Sequence, residues 1–293
     1  MMNIKKGLNA SDISYGSSRV LFVEGQSGSI DEIVISRVID FIQVKAIGPS
    51  SHIKPASKAF ENVHPAYFFV VDRDHQEDDE VDKTWKDFEA GYSNLIIWRK
   101  KELENYFLDP TLLHASTFLK KDVTINEIKA SILNYAKSNI YMHIVNRVII
   151  ELRETLKNKW IDTYKCENLF PDANSALSVL LGNRFIQEKS TNVSSALSAS
   201  AIESLFYKNL ELMLGANQTE LSWEQGKWLE LMPGKNILRQ ILNDTRLFIV
   251  EDTTGQCVTG LKKQEIILSR LLKDKSNWPE DFKKLNELLK NRA

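Results

Sequence analysis

An uninterrupted apolar segment that ends in two acidic residues is the strongest constraint on the fold of this chain. The six residues 66–71 are mostly aromatic or β-branched and contain no polar alternation. This pattern is typical of a central parallel strand that is buried on both faces. Asp72, Arg73 and Asp74 follow at once. In an extended chain Asp72 and Asp74 face the same side, about 6.6 Å apart, and Arg73 faces the other. Because open α/β sheets bind ligands beyond the carboxyl ends of their strands, this pair predicts a site there.

A second apolar segment upstream also ends in an acid. Val20–Val23 is followed by Glu24 and Gly25. If the two strands are neighbours, about 4.8 Å apart, Glu24 converges with Asp72 and Asp74 on one hard cation. Mg²⁺ or Mn²⁺ held by such acids neutralises phosphate charge and orients a water nucleophile. Glu24, Asp72 and Asp74 are therefore the predicted metal ligands and catalytic residues, although either acid-ended segment alone is more typical of a solvated turn.

The segment Trp98–Pro110 after the predicted fourth strand carries further acids and most of the nearby bases. Glu104 is a candidate for an additional catalytic position, and the alternative is an acid on a helix surface. On a helix Glu102 and Glu104 point apart, so at most one is expected to face the site, with Glu102 supporting. Four basic residues at this edge of the sheet are predicted to hold substrate phosphates rather than read bases. They are Arg73, Arg99, Lys100 and Lys101, and the alternative for each is a solvated charged turn.

Together these strings resemble the TOPRIM domain, which has a glutamate after its first strand and Asp-x-Asp after its third. The run Glu102–Pro110 is similar to the OLD-like branch, and the chain resembles the nuclease subunits of PARIS anti-phage defence systems. The resemblance covers about residues 18–113. Asp31 matches the family aspartate that supports the metal site, displaced by extra loop residues. The alternative for Asp31 is an acid that favours the start of a helix.

The resemblance and the pattern of elements predict the same fold. Strands and helices alternate up to residue 98, which favours an α/β fold with a TOPRIM-type four-stranded parallel sheet and flanking helices. A mainly α-helical C-terminal region follows. The expected division is a catalytic domain over residues 18–113 and a helical domain over 114–293 for dimerisation and partner docking.

The resemblance implies a Mg²⁺- or Mn²⁺-dependent endonuclease that hydrolyses phosphodiester bonds of DNA or RNA, with tRNA among the RNA targets. It further implies a toxic effector that is held inactive by an ABC-type ATPase subunit and forms a homodimer. The alternative is a non-catalytic or nucleotidyl-transferase-type TOPRIM protein that serves as an assembly or sensor subunit.

Composition limits the other classes. A formal net charge of −1 over 293 residues means that nucleic-acid contact must come from local patches. Cys166 and Cys257 are far apart and lack metal-ligand spacing, which favours a reducing cytoplasm, and no membrane span is expected. Gly234-Lys235 lacks the glycine spacing of a phosphate-binding loop, and Asn236 stands where a hydroxyl is required.

Overall fold

A four-stranded parallel sheet forms the centre of the fold. The computed structural model of the protein describes residues 19–61, 63–156 and 184–292. The strands are β1 (Val20–Val23), β2 (Gln43–Ala46), β3 (Tyr67–Val71) and β4 (Leu95–Ile97). Their order in the sheet is β2-β1-β3-β4, and every neighbouring pair is parallel. The predicted α/β class with a four-stranded parallel sheet is confirmed.

The two central strands are buried because helices cover the sheet. Every residue of β1 and β3 is buried. The connecting helices are α1 (Ile30–Val38), α2 (Ser50–Phe60) and α3 (Asp78–Glu89). Across the central pair, the rings of Phe22 and Phe69 stack with centroids 5.2 Å apart. Each crossover helix returns the chain to the end of the sheet at which the strands begin. The carboxyl ends of all four strands therefore lie together at the opposite end.

The loops after β1 and β2 are tied together at that side. Gly25 and Gly48 exchange two backbone hydrogen bonds, of 3.0 and 2.8 Å. Gly25 has φ +105°, and a Cβ atom there would lie 2.6 Å from the Ser29 hydroxyl oxygen. Only glycine fits this turn, which places Glu24 at the end of the strand.

The regular structure after the sheet is helical in the described chain, which confirms the predicted helical C-terminal region. The helices are a 3₁₀ helix (Leu103–Phe107), α4 (Pro110–His114), α5 (Ile125–Leu156), α6 (Arg184–Ala196), α7 (Ala199–Leu214), α8 (Trp228–Leu231), α9 (Gly234–Asn243), α10 (Gly260–Leu271), a 3₁₀ helix (Lys275–Asn277) and α11 (Glu280–Asn291).

The chain forms two compact units that do not follow the predicted division after residue 113. One unit contains the sheet and runs to Tyr135, then resumes at Leu229 and continues to the end of the chain. The other is Ala136–Trp228. The last helices join the sheet unit because their apolar faces are buried there. For example, the Asn286 side-chain amide in α11 donates to the Val38 carbonyl at 2.7 Å, and the Arg292 guanidinium donates to the Ser93 carbonyl at 2.7 Å.

The helical unit Ala136–Trp228 has a polar centre of its own. Asn209 is completely buried; its side-chain oxygen accepts from Arg147 Nε, and its nitrogen donates to a Glu151 carboxylate oxygen, both at 2.8 Å. The rings of Trp223 and Trp228 pack with centroids 5.3 Å apart.

In the described part of the chain, no helix is both long and apolar enough to span a membrane. Cys257 is a free, exposed thiol, and Cys166 lies outside the described residues.

Candidate active site

Glu24 and Asp72 meet at the ends of the two central strands. The Asp72 backbone amide donates to a Glu24 carboxylate oxygen at 3.0 Å. The pKa of Glu24 is raised to about 7, mainly by burial and in smaller part by the nearby carboxylates of Asp74 and Asp31, although that hydrogen bond opposes the shift. The predicted convergence of the two strand-end acids is therefore present in the structure.

Asp72 lies among several other acids that, together with it, form the acidic group. The other members are Glu24, Asp31, Asp74, Glu102 and Glu104. The Asp72 Oδ1 atom is shielded from solvent and accepts no hydrogen bond from the described residues. Burial raises the pKa of this carboxyl well above its ordinary value, and the charges of Asp31, Glu24 and Glu104 add to the effect. A buried carboxylate oxygen without a donor, among other acids, is the arrangement that a bound cation would satisfy.

Asp74 reaches the same region by a turn rather than by extended geometry. Its backbone is left-handed, with φ +51°, so the alternation expected for a strand ends before it. The predicted spacing between Asp72 and Asp74 therefore does not apply. The Asp74 carboxylate accepts from the Ser50 hydroxyl at 2.9 Å, and it lies close enough to raise the pKa of Glu24.

Asp31 and Glu104 complete the buried part of the acidic group. Asp31 is 8% exposed in the first turn of α1, where Ser29 is the capping residue. Burial raises the pKa of Asp31 to about 6, and Glu102 adds to this while Lys235 opposes it. Glu104 is 3% exposed, and burial raises its pKa to about 7, with Asp31 adding to the effect. Glu104 does not occupy the helix-surface position that was its alternative, whereas Asp31 does lie in the first turn of a helix, as its alternative expected.

Glu102 and Glu104 both lie near the site, contrary to the expectation that at most one would. Glu102 precedes the 3₁₀ helix with an extended backbone, φ −140° and ψ 161°, so helical spacing does not separate the pair. Both charges are close enough to raise the pKa of Asp72. The expectation was wrong because it placed both acids inside one helix.

Lys235 is a cation beside this acidic group that sequence reasoning missed. Its ammonium lies 3.9 Å from a Glu104 carboxylate oxygen. Burial alone would lower the pKa of Lys235, but the charges of Glu104, Asp31 and Glu102 together raise it. The Gly234-Lys235 pair was the only signal in the sequence, and its failure to match a phosphate-binding loop concealed it.

The four predicted phosphate-binding residues separate into different roles. Arg73 is 5% exposed, and its guanidinium donates to the carbonyls of Gln76 and Arg99 and to Asp78. This burial contradicts a phosphate contact and makes Arg73 a brace for the loops after β3 and β4. Arg99 is likewise held, because it pairs with Asp281 and lies 4.5 Å from the Trp85 ring.

Lys101 is the predicted basic residue that the structure brings to the acidic group, whereas Lys100 points away. The Lys101 ammonium donates to the Asp74 carbonyl and lies 3.5 Å from a His75 ring nitrogen. The Lys100 ammonium instead donates to the Asn105 carbonyl and lies 5.1 Å from the centroid of the Tyr106 ring.

The residue types suit a hard divalent cation, because carboxylates from several segments lie close enough to Asp72 to raise its pKa. Among the described residues, no three Asp, Glu, His or Cys side chains already converge as a complete metal-binding group.

Comparison with models of protein families, with curated proteins and with solved structures found no match to this chain.

Proposed function

We propose that this protein is a metal-dependent nuclease that hydrolyses phosphodiester bonds of DNA or RNA. The observation that carries the proposal is the buried, donor-free Oδ1 atom of Asp72 at the end of a central parallel strand. Glu24, Asp31 and Glu104 lie close enough to Asp72 to raise the pKa of its carboxyl group, and their own pKa values are raised as well. A cluster of like charges lowers the stability of the fold, so it is kept mainly where a function requires it. Carboxyl groups with perturbed pKa values are accordingly concentrated at functional sites.

The residues of the site have complementary roles in this reaction. Glu24, Asp72 and Asp74 would hold Mg²⁺ or Mn²⁺, with Asp31, Glu102 and Glu104 in support, and the ion would activate water and neutralise the phosphate. Lys235 and Lys101 bring two ammonium groups to the edge of the acidic group. These cations attract the substrate backbone and stabilise the charge that develops on the phosphate during hydrolysis.

We further propose that the fold is of the TOPRIM type and that the protein acts in the cytoplasm as a toxic effector of anti-phage defence. The support is the resemblance at Glu24, Asp72, Asp74 and Glu102–Pro110. The four parallel strands in the order β2-β1-β3-β4 provide a sheet on which these acids meet.

The Glu24→Ala substitution tests the proposed activity. The purified protein is incubated with plasmid DNA, linear DNA and total tRNA, with and without Mg²⁺ or Mn²⁺. We expect metal-dependent cleavage of at least one substrate and a loss of about a thousandfold in the variant, because it removes a charged ligand. Glu265→Ala is the control, since this acid in α10 lies outside the site. A Glu24→Ala protein that cleaves as fast as wild type overturns the assignment.

Regulation by a partner is part of the proposal. A freely active nuclease would damage its own cell, so we propose an ABC-type ATPase partner that holds the protein inactive and a homodimer as the active form. In the helical unit, α5 exposes Tyr141, Met142, Val145 and Ile149, which are 57%, 53%, 45% and 40% exposed. Exposed apolar side chains close together are typical of interaction surfaces.

Co-purification tests the proposed control. We expect an ABC-type ATPase gene beside the gene for this chain, and we expect its product to be retained when either protein carries the affinity tag, because apolar burial drives stable association. We expect Met142→Glu and Val145→Glu together to weaken retention by about tenfold or more. A monomer that cleaves nucleic acid at full rate without a partner would contradict the regulatory part and leave the metal site unaffected.

A further inference from the structure

Asn105 joins two segments that are distant in sequence. It is 1% exposed and uses both ends of its side-chain amide. The Nδ2 atom donates to the carbonyls of Leu229 and Met232, both at 2.8 Å. The Oδ1 atom accepts from the amides of Gly234 at 3.0 Å and Glu102 at 3.1 Å. One side chain therefore holds the turn that leads into α9.

The first turn of α9 has no cap of its own. Pro233 is at the N-cap position and provides no side-chain acceptor. Asn105 accepts from the Gly234 amide, and a Glu102 carboxylate oxygen accepts from the Lys235 amide at 2.8 Å. The 3₁₀ segment thus satisfies two of the free amides of this helix, which fixes where the helix begins.

Gly234 packs directly against Asn105, with no space for a side chain at residue 234. A Cβ atom on Gly234 would lie 2.4 Å from Asn105 Oδ1 and 2.6 Å from the Asn105 backbone nitrogen. The two backbones approach each other this closely only because residue 234 is glycine. The Lys235 side chain begins at the next residue and ends 3.9 Å from Glu104.

We propose that Asn105 is a positioning residue that places the Lys235 ammonium against the acidic group. The inference rests on the proposed function, since Lys235 acts there as a cation toward substrate phosphate. Asn105 does not touch the substrate in this account. It sets the start of α9, and a shift of about 1 Å at a catalytic group costs on the order of a hundredfold in rate.

A double-mutant cycle with Asn105→Ala and Lys235→Ala tests the inference. We expect Lys235→Ala to lower kcat about a hundredfold or more and Asn105→Ala to lower it about tenfold to a hundredfold, with KM nearly unchanged. We expect the double variant to be no slower than Lys235→Ala, because Asn105 acts through Lys235. If the losses in kcat of the two single variants instead multiply in the double variant, Asn105 supports the fold generally, and the inference fails.

Gly234→Ala disturbs the same contact from the α9 side. It keeps the inference testable if the Asn105→Ala protein misfolds. We expect it to lower kcat like Asn105→Ala, and again with no added loss in the Lys235→Ala background. Asn236→Ala, at an exposed position in the same turn of α9, is the matched control and should remain active. Full activity of both Gly234→Ala and Asn105→Ala would overturn the inference.

Titration with Mg²⁺ by calorimetry separates this inference from the proposed function. The Lys235 ammonium repels a cation at the acidic group, so we expect Lys235→Ala and Asn105→Ala each to tighten Mg²⁺ binding severalfold and not to add. If wild type cleaves but Lys235→Ala cleaves equally well, the inference fails and the nuclease stands. If wild type neither cleaves nor binds Mg²⁺, both fail.

Discussion

The Asp72→Asn protein is expected to fold and to lose cleavage by about a thousandfold or more. Asparagine keeps the shape of the side chain and removes the charge that the proposed cation site requires. Asp72 provides the one buried carboxylate oxygen in the acidic group that lacks a hydrogen-bond donor among the described residues. The loss is measured as the initial rate of cleavage of whichever substrate wild type cuts, at saturating Mg²⁺.

Asp79→Asn is the matched control for this substitution. Asp79 is an exposed acid in the first turn of α3, seven residues after Asp72, and it should retain wild-type activity. A thermal melt of each protein separates chemistry from folding. If the Asp72→Asn protein unfolds, or if it cleaves at the wild-type rate, Asp72 is structural and the proposed site is wrong.

The strand-end acids were predictable from sequence because their placement depends on local rules. An apolar run without polar alternation predicts a buried parallel strand, and the carboxyl ends of such strands share one edge. These rules predict that Glu24 and Asp72 converge, and in the structure the Asp72 backbone amide donates to a Glu24 carboxylate oxygen at 3.0 Å. Sequence reasoning also predicted the helical character of the chain after residue 113.

The rest of the site depends on contacts that no local pattern encodes. Lys235 lies more than 130 residues after Glu104 in sequence, yet its ammonium is 3.9 Å from the Glu104 carboxylate, beside the junction where Asn105 accepts from the Gly234 amide. Local rules also failed at Asp74, where the backbone is left-handed, and at Glu102, which precedes its helix. Arg73 was predicted to hold substrate phosphate because it is one of four basic residues at the carboxyl edge of the sheet, yet it is buried against backbone carbonyls.

The two compact units illustrate the same limit. The helical unit Ala136–Trp228 lies in sequence between two parts of the sheet unit. A linear reading assigns everything after residue 113 to one helical domain, because nothing local marks the return at Leu229. The proposed site needs that return, since Lys235 follows it directly.

Without metal, the protein is expected to lose stability as pH rises through the range in which the acidic group ionises. The pKa of Asp31 is raised from 3.8 to about 6, and that of Glu24 from 4.5 to about 7. An acid with a raised pKa binds its proton more tightly in the folded state than in the unfolded chain. Its contribution is therefore favourable at low pH and is lost as pH rises from about 4 to about 7.

Asp72→Asn isolates this effect from other titrating groups. Removing the central charge relieves repulsion among the remaining acids, so the variant should gain stability relative to wild type as pH rises. We expect a difference on the order of 2 kcal/mol in the free energy of unfolding at pH 8 and almost none at pH 4. Denaturant unfolding of both proteins in a chelator, across this range, measures the difference.

We expect Mg²⁺ to restore the stability that wild type loses at high pH and to have little effect on Asp72→Asn. A cation that binds the folded state at a hundredfold excess over its Kd stabilises it by about 2.7 kcal/mol. In a protein of 293 residues that corresponds to a rise in Tm of about 4 °C. We expect this rise in wild type at pH 8, a much smaller one at pH 5 because protons compete for the carboxylates, and little change in Asp72→Asn at either pH. An equal rise in wild type and Asp72→Asn would place the bound cation elsewhere on the protein.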